Sequence, residues 1–111
     1  MLLVCAFAVA ESERAAFTAR ARVAAALLGA QPGCRAVTVG RGVDTPEHWV
    51  LTARFDSVTA YRRALSPFAV REHVAPLLAE CLPVVPSTYE VLLEGAGGAV
   101  QETVSLRSED G

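Results

Sequence analysis

Several residue types are missing or scarce in this sequence. It contains no Lys, Ile or Asn, its ten basic residues are all Arg, and only 20% of its residues are charged. The formal net charge is −2. Because phosphate contacts require a basic face, this balance argues against nucleic acid as a partner.

Cysteine and long apolar runs are also limited. The three cysteines, Cys5, Cys34 and Cys81, lie far apart without a C-x-x-C pair, which predicts free thiols in a reducing compartment. The apolar start of the chain lacks preceding basic residues and is too short to cross a bilayer. We therefore expect a cytoplasmic protein without membrane contact. Neither His48 nor His73 has a carboxylate or thiol at ligand spacing, so we expect no metal site.

Apolar residues are in excess in this sequence. Its 111 residues are 52% apolar, which is enough for one globular domain with a buried core. So large an apolar share in a small domain indicates that part of it faces a partner or a ligand. We assign residues 1–94 to the folded domain and residues 95–111 to a glycine-rich hinge and polar tail.

Hydrophobic patterning and turn signals predict the order strand, helix, strand, strand, broken helix, strand. The predicted segments are residues 2–10, 11–30, 34–42, 48–55, 57–82 and 87–94. This order is typical of an α+β, ferredoxin-like four-stranded antiparallel sheet with helices on one face. The first strand is apolar at both odd and even positions, so its second face predicts a homodimer that packs sheet against sheet.

Three segments carry a resemblance to a known family. QPGCRAVTV, HWVLTARFDS and AYRRALSPF resemble, in order and spacing, the antibiotic biosynthesis monooxygenase (ABM) family. The resemblance covers residues 1–94 and implies a dimeric α+β barrel whose pocket lies between the helices and the sheet. It also implies the cofactor-free oxidation by O₂ of a small aromatic substrate, such as an anthrone, phenol or quinol.

Three side chains are candidates for catalysis. His73 could abstract a proton, because the pKa of imidazole lies near neutrality. Arg54 could hold a phenolate, and the Tyr61 hydroxyl could orient a carbonyl or an oxyanion. The strand alternation places Arg54 on one sheet face and Trp49 on the other, and the sequence leaves open which face points inward.

Three aromatic side chains are candidates for substrate binding. Trp49 and Phe55 share one face of a strand, and Phe68 opens the helix after the Ser-Pro turn. Large apolar rings of this kind pack against aromatic substrates, although they also fill ordinary cores and dimer interfaces. We expect these rings to line the pocket.

Two alternative functions remain open. The first is a non-catalytic dimeric module that binds a small apolar ligand; many relatives have Trp where Phe55 stands and His where Arg63 and Ala64 stand. The second is haem binding or degradation with His73 as the iron ligand. The haem-degrading branch pairs an Asn with a Trp on a helix, whereas this chain has no Asn and its Trp49 lies on a strand.

Overall fold

The central element is a four-stranded antiparallel sheet. The computed structural model describes residues 1–83 and 87–103. The strands are ordered β2-β3-β1-β4. Their bounds are β1 Leu2–Ala8, β2 Cys34–Arg41, β3 His48–Phe55 and β4 Thr88–Tyr89. The predicted α+β fold with a four-stranded antiparallel sheet is therefore confirmed.

Helices connect the strands and cover one face of the sheet. A 3₁₀ turn at Glu11–Glu13 leads into α1, and three short helices follow β3. Their bounds are α1 Arg14–Gly29, α2 Val58–Ala64, α3 Phe68–His73 and α4 Ala75–Leu78. The Ser57 hydroxyl caps α2 by accepting a 3.0 Å hydrogen bond from the Ala60 amide, as its position before the helix predicts. Pro76, in the first turn of α4, separates that helix from α3, because proline cannot donate an intrahelical hydrogen bond.

The core lies between the helices and the odd-numbered residues of β1 and β3. The buried members of these two strands are Leu3, Cys5, Phe7, Trp49, Leu51, Ala53 and Phe55. Helix α1 buries Phe17, Ala21, Ala24 and Leu28 against them. The face that carries Trp49 and Phe55 is thus the one that points inward, which the sequence left open.

The opposite face of the sheet is mostly apolar, and its side chains are half-buried or exposed. The pairing register aligns Val4 of β1 with Thr52 of β3 and Thr38 of β2 at its centre. We call this surface the open sheet face; its main residues are Leu2, Val4, Ala6, Thr38, Val50 and Thr52. The helices pack on the other side of the sheet, so the predicted unpartnered apolar surface exists.

The C-terminal part of the described chain differs from the prediction. A single strand over residues 87–94 is wrong: β4 covers two residues, and a hairpin of β5 (Leu93–Ala96) and β6 (Ala99–Glu102) follows. Gly97 and Gly98 have φ of 60° and 84°, the left-handed backbone that a two-residue hairpin turn requires. The predicted hinge is therefore a hairpin turn, and the proposed domain boundary at residue 94 falls inside it. The predicted role of the tail from residue 104 onward lies outside the described residues.

In residues 1–83 and 87–103, no helix is both long and apolar enough to cross a bilayer.

Gly33 closes the turn between α1 and β2 and cannot carry a side chain. Its φ is +83°, and a Cβ there would stand 2.7 Å from the Ala60 Cβ. We expect Gly33→Ala to lower the free energy of unfolding by about 2–3 kcal/mol, from left-handed strain and this clash. Gly29→Ala is the control, because its Cβ would meet Val37 at an ordinary 3.8 Å. Urea unfolding that ranks the two variants equally would contradict this explanation.

Candidate functional site

A cavity of about 450 Å³ lies between β1 and the helices α2 and α4. Its walls are mostly apolar, with Leu3 and Cys5 from β1 on one side and Leu65 and Leu78 from the helical side on the other. Tyr61, Cys81 and Ser87 bring the polar atoms. We call this space the Tyr61 cavity. A mainly apolar cavity with a few polar groups is the usual form of a small-molecule site.

Tyr61 is the ionisable predicted site residue that lines this cavity. Its ring packs edge-on against Phe55, with 5.4 Å between the ring centroids. Burial, with a smaller contribution from Cys5, raises the pKa of the Tyr61 phenol. In the described part of the chain, its hydroxyl has no hydrogen-bond partner. Tyr61 therefore presents a neutral O–H donor that a bound oxyanion or carbonyl could accept.

Trp49 belongs to a different part of the core. Its ring packs edge-on against Phe17 at 5.3 Å, and it borders a separate recess of about 320 Å³ with Thr18, Arg22 and Val39. Its indole Nε1 is buried without a hydrogen-bond partner among the described residues. Trp49 does not line the Tyr61 cavity. A contact between Trp49 and a substrate bound in that cavity therefore stays a prediction.

The unpaired indole of Trp49 makes a stability prediction. We expect Trp49→Phe to change the free energy of unfolding by less than about 1 kcal/mol, because it loses some packing but also removes an unsatisfied donor. Trp49→Ala should cost about 3–5 kcal/mol through the cavity that it leaves. Denaturant unfolding of both variants checks this. If Trp49→Phe were as damaging as Trp49→Ala, the indole N–H would have a partner.

His73 lies on the protein surface at the end of α3. Its side chain is half exposed, with Nε2 3.0 Å from the Glu72 carboxylate. It borders a groove of about 320 Å³ formed with Arg20, Val23 and Pro76, and does not line the Tyr61 cavity. His73 as general base thus stays a prediction that its position does not favour. The same groove is bounded by charged Arg20 and Glu72 as well as by Val23 and Pro76, and haem binding through His73 stays a prediction.

Arg54 lies on the open sheet face, on the other side of the sheet from Tyr61. Its guanidinium donates to the Phe55 carbonyl at 2.7 Å and pairs with Glu94 at 3.2 Å. This interaction lowers the pKa of the Glu94 carboxyl. Arg54 therefore connects β3 to the C-terminal hairpin. The structure does not bring His73, Arg54 and Tyr61 together.

The remaining predicted aromatic residues have different surroundings. Phe55 is fully buried, and its ring packs against the Tyr61 ring. Phe68 is 75% exposed at the start of α3, so it packs little in this chain alone. Cys5, Cys81 and Ser87 also line the cavity, and the sequence did not predict them there. Alternation along β1 would have identified Cys5, once the inward face of the sheet was known.

Among the described residues, no three His, Cys, Asp or Glu side chains are close enough together to hold a metal ion. His48, at the start of β3, is exposed.

The fold and the cavity together define a class of protein: a ferredoxin-like α+β domain with a small-molecule cavity between its sheet and its helices. The family model for antibiotic biosynthesis monooxygenase matches residues 1–75, about two thirds of the chain. The chain belongs to the antibiotic biosynthesis monooxygenase family.

Solved structures agree with this assignment. A candidate antibiotic biosynthesis monooxygenase from Chloroflexus aurantiacus is 25% identical, over 88% of this chain and 97% of that one, with a TM-score of 0.64. SnoaB, a cofactor-independent oxygenase from Streptomyces nogalater studied as a mutant, is 24% identical over 99% and 96% of the chains, with a TM-score of 0.62. A Deinococcus radiodurans protein described as a candidate of the same kind is 18% identical over 69% and 77%, with a TM-score of 0.60. No curated protein matches the sequence.

Proposed function

We propose that this protein is a cofactor-independent monooxygenase that oxidises a small aromatic anthrone, phenol or quinol with O₂ in the Tyr61 cavity. The observation that carries the proposal is the placement of one protonated phenol in an otherwise mainly apolar cavity. Family membership supports the reaction type. The substrate class rests on the chemistry that such a cavity can accommodate.

The proposed chemistry requires little from the protein. An anthrone that has lost a proton from its methylene carbon is an electron-rich enolate, which can pass an electron to O₂ directly. The overall reaction converts anthrone and O₂ into the quinone and water. Apolar walls would bind the ring system, and the Tyr61 O–H would donate to the substrate oxygen, which gains negative charge on deprotonation.

We also propose that the protein is a homodimer that forms through the open sheet face. Half-buried Val4 and Val50 lie there on the side of the sheet that the helices do not cover. A second copy would bury these side chains and leave each Tyr61 cavity within its own subunit. Three free cysteines suit a reducing compartment, which favours a cytoplasmic location.

Oxygen consumption tests the proposed reaction. Purified protein is treated with a chelator, freed of flavin and haem, and mixed with a model anthrone in an oxygen-electrode cell. We expect protein-dependent O₂ uptake with one quinone formed for each O₂ consumed, measured by absorbance and mass spectrometry. The heat-denatured protein is the control for the spontaneous oxidation of anthrone.

Two outcomes would overturn the proposal. Binding of the anthrone without O₂ uptake would assign the protein to the alternative class, a non-catalytic binding module. Activity that appears only on adding hemin, with a shifted Soret band, would assign it to the haem branch. His73→Ala separates the latter from the proposed reaction, because only the haem activity should depend on His73.

A further inference from the structure

We propose that Cys5 and Cys81 form a redox-active dithiol, which oxidation converts into an intramolecular disulfide across the wall of the Tyr61 cavity. This inference goes beyond the oxygenase proposal and does not depend on it. The backbone brings these two residues together, although they are far apart in sequence.

Two hydrogen bonds hold the segment after α4 against β1. The Leu82 amide donates to the Ala6 carbonyl at 2.8 Å, and the Val4 amide donates to the Ser87 carbonyl, also at 2.8 Å. Cys5 lies between Val4 and Ala6, and Cys81 directly precedes Leu82. The fold therefore fixes the two cysteines side by side.

Both thiols lie at the same cavity. Cys5 and Cys81 both line the Tyr61 cavity, where the Cys81 thiol is close enough to Cys5 to affect its protonation. Cys5 is buried, whereas Cys81 is partly exposed and also donates to the Leu82 carbonyl at 3.6 Å. Burial and the Cys81 thiol raise the pKa of Cys5 to about 12. Cys81 is thus the thiol that an oxidant reaches first, and Cys5 is the resolving thiol beside it.

The oxidant that we propose is a peroxide. The Cys81 thiolate attacks one peroxide oxygen and becomes a sulfenic acid, while the other oxygen leaves as hydroxide and takes up a proton as water. The Cys5 sulfur then attacks the Cys81 sulfur, loses its proton and displaces a second water. Two thiols and one hydrogen peroxide thereby give one disulfide and two waters, with both sulfurs oxidised and the peroxide reduced.

Cys34 provides an internal comparison. It lies on β2, outside the Tyr61 cavity, and its thiol donates a hydrogen bond to the Ala36 carbonyl at 3.9 Å. It is also less deeply buried than Cys5. The proposal therefore predicts that two of the three thiols are lost together on mild oxidation and that Cys34 is retained.

Peptide mapping tests the pairing. The reduced full-length protein is treated with a small excess of hydrogen peroxide, blocked with iodoacetamide and cleaved with trypsin without reduction. Cleavage after arginine places Cys5 in residues 1–14, Cys34 in residues 23–35 and Cys81 in residues 72–107. We expect the first and third peptides to be joined, the second to be alkylated, and dithiothreitol to reverse the link.

Variants and stability complete the test. Cys34→Ser should still form the link, and Cys81→Ser should not. Oxidised protein should show a Tm higher by about 5 °C or more than reduced protein, because the bridge closes a long loop in the unfolded chain. A disulfide that involves Cys34, a disulfide between two chains, or Cys81 oxidised to sulfinic acid without a link would overturn the proposal. Peptide mapping of the parent protein tests the Cys5–Cys81 pairing even if a variant fails to fold.

Discussion

Replacing Tyr61 with Phe should lower kcat/KM for anthrone oxidation about 100-fold, the usual effect of removing one oxyanion donor. The change deletes the hydroxyl and leaves the ring, so the edge-on contact with Phe55 remains. Because the hydrogen bond strengthens as the substrate oxygen gains charge, kcat should account for most of the loss, with little change in KM. Steady-state O₂ uptake over a range of anthrone concentrations separates the two constants.

The chain offers a matched control for this prediction. Tyr89 lies on β4 opposite Leu2, on the open sheet face and away from the cavity. Tyr89→Phe removes the same atom and should leave kcat/KM unchanged. His73→Ala should also leave it unchanged. A result in which His73→Ala abolishes turnover and Tyr61→Phe does not would restore His73 as the base and refute the role assigned to Tyr61.

The predictable parts of the fold depend on local chemistry. Residues that alternate between the two faces define β3, Ser57 has the side chain that caps α2, and Pro67 fixes the start of α3. These features are determined within a few residues, and sequence patterns report them well. The end of the sheet is different. Residues 87–94 have strand-forming composition, but pairing with β1 extends only over Thr88 and Tyr89, and such pairing depends on distant residues.

In the candidate site, too, some features are determined locally and others depend on distant residues. Tyr61 and Phe55 are neighbours because β3 and α2 are consecutive elements joined by a short capped turn. The orientation of His73 is set instead by the break in the helix, because α3 ends at His73 and α4 begins at Ala75. Val70, Val74 and Leu77 form the buried side, which leaves His73 outward. For Arg54 the strand parity was clear, but apolar residues on both faces of β1 hid which face pointed inward.

The open sheet face connects the sequence pattern to the proposed assembly. Val4 and Val50 there are only half-buried in the single chain, although they are flanked by strands on either side. The Arg54–Glu94 ion pair holds the C-terminal hairpin near one end of this face. Leu93 and Val100 on the hairpin are also exposed apolar side chains. A homodimer would remove this surface from water, which explains why β1 is apolar at every position.

Thr52→Arg should dissociate the proposed dimer. Thr52 lies at the centre of the open sheet face, between Val4 and Thr38, so a twofold interface would bury two unpaired guanidinium groups. In a monomer the same side chain would reach solvent at little cost. Light scattering should give about twice 11.7 kDa for the parent protein and about 11.7 kDa for the variant.

Ala26→Arg, on the exposed side of α1, adds the same charge away from the sheet and should leave the mass unchanged. Far-ultraviolet circular dichroism should show the folded state in both variants. If Thr52→Arg keeps the doubled mass, the subunits associate through another surface. If the parent protein is itself monomeric, a second copy cannot be what covers the apolar side of β1.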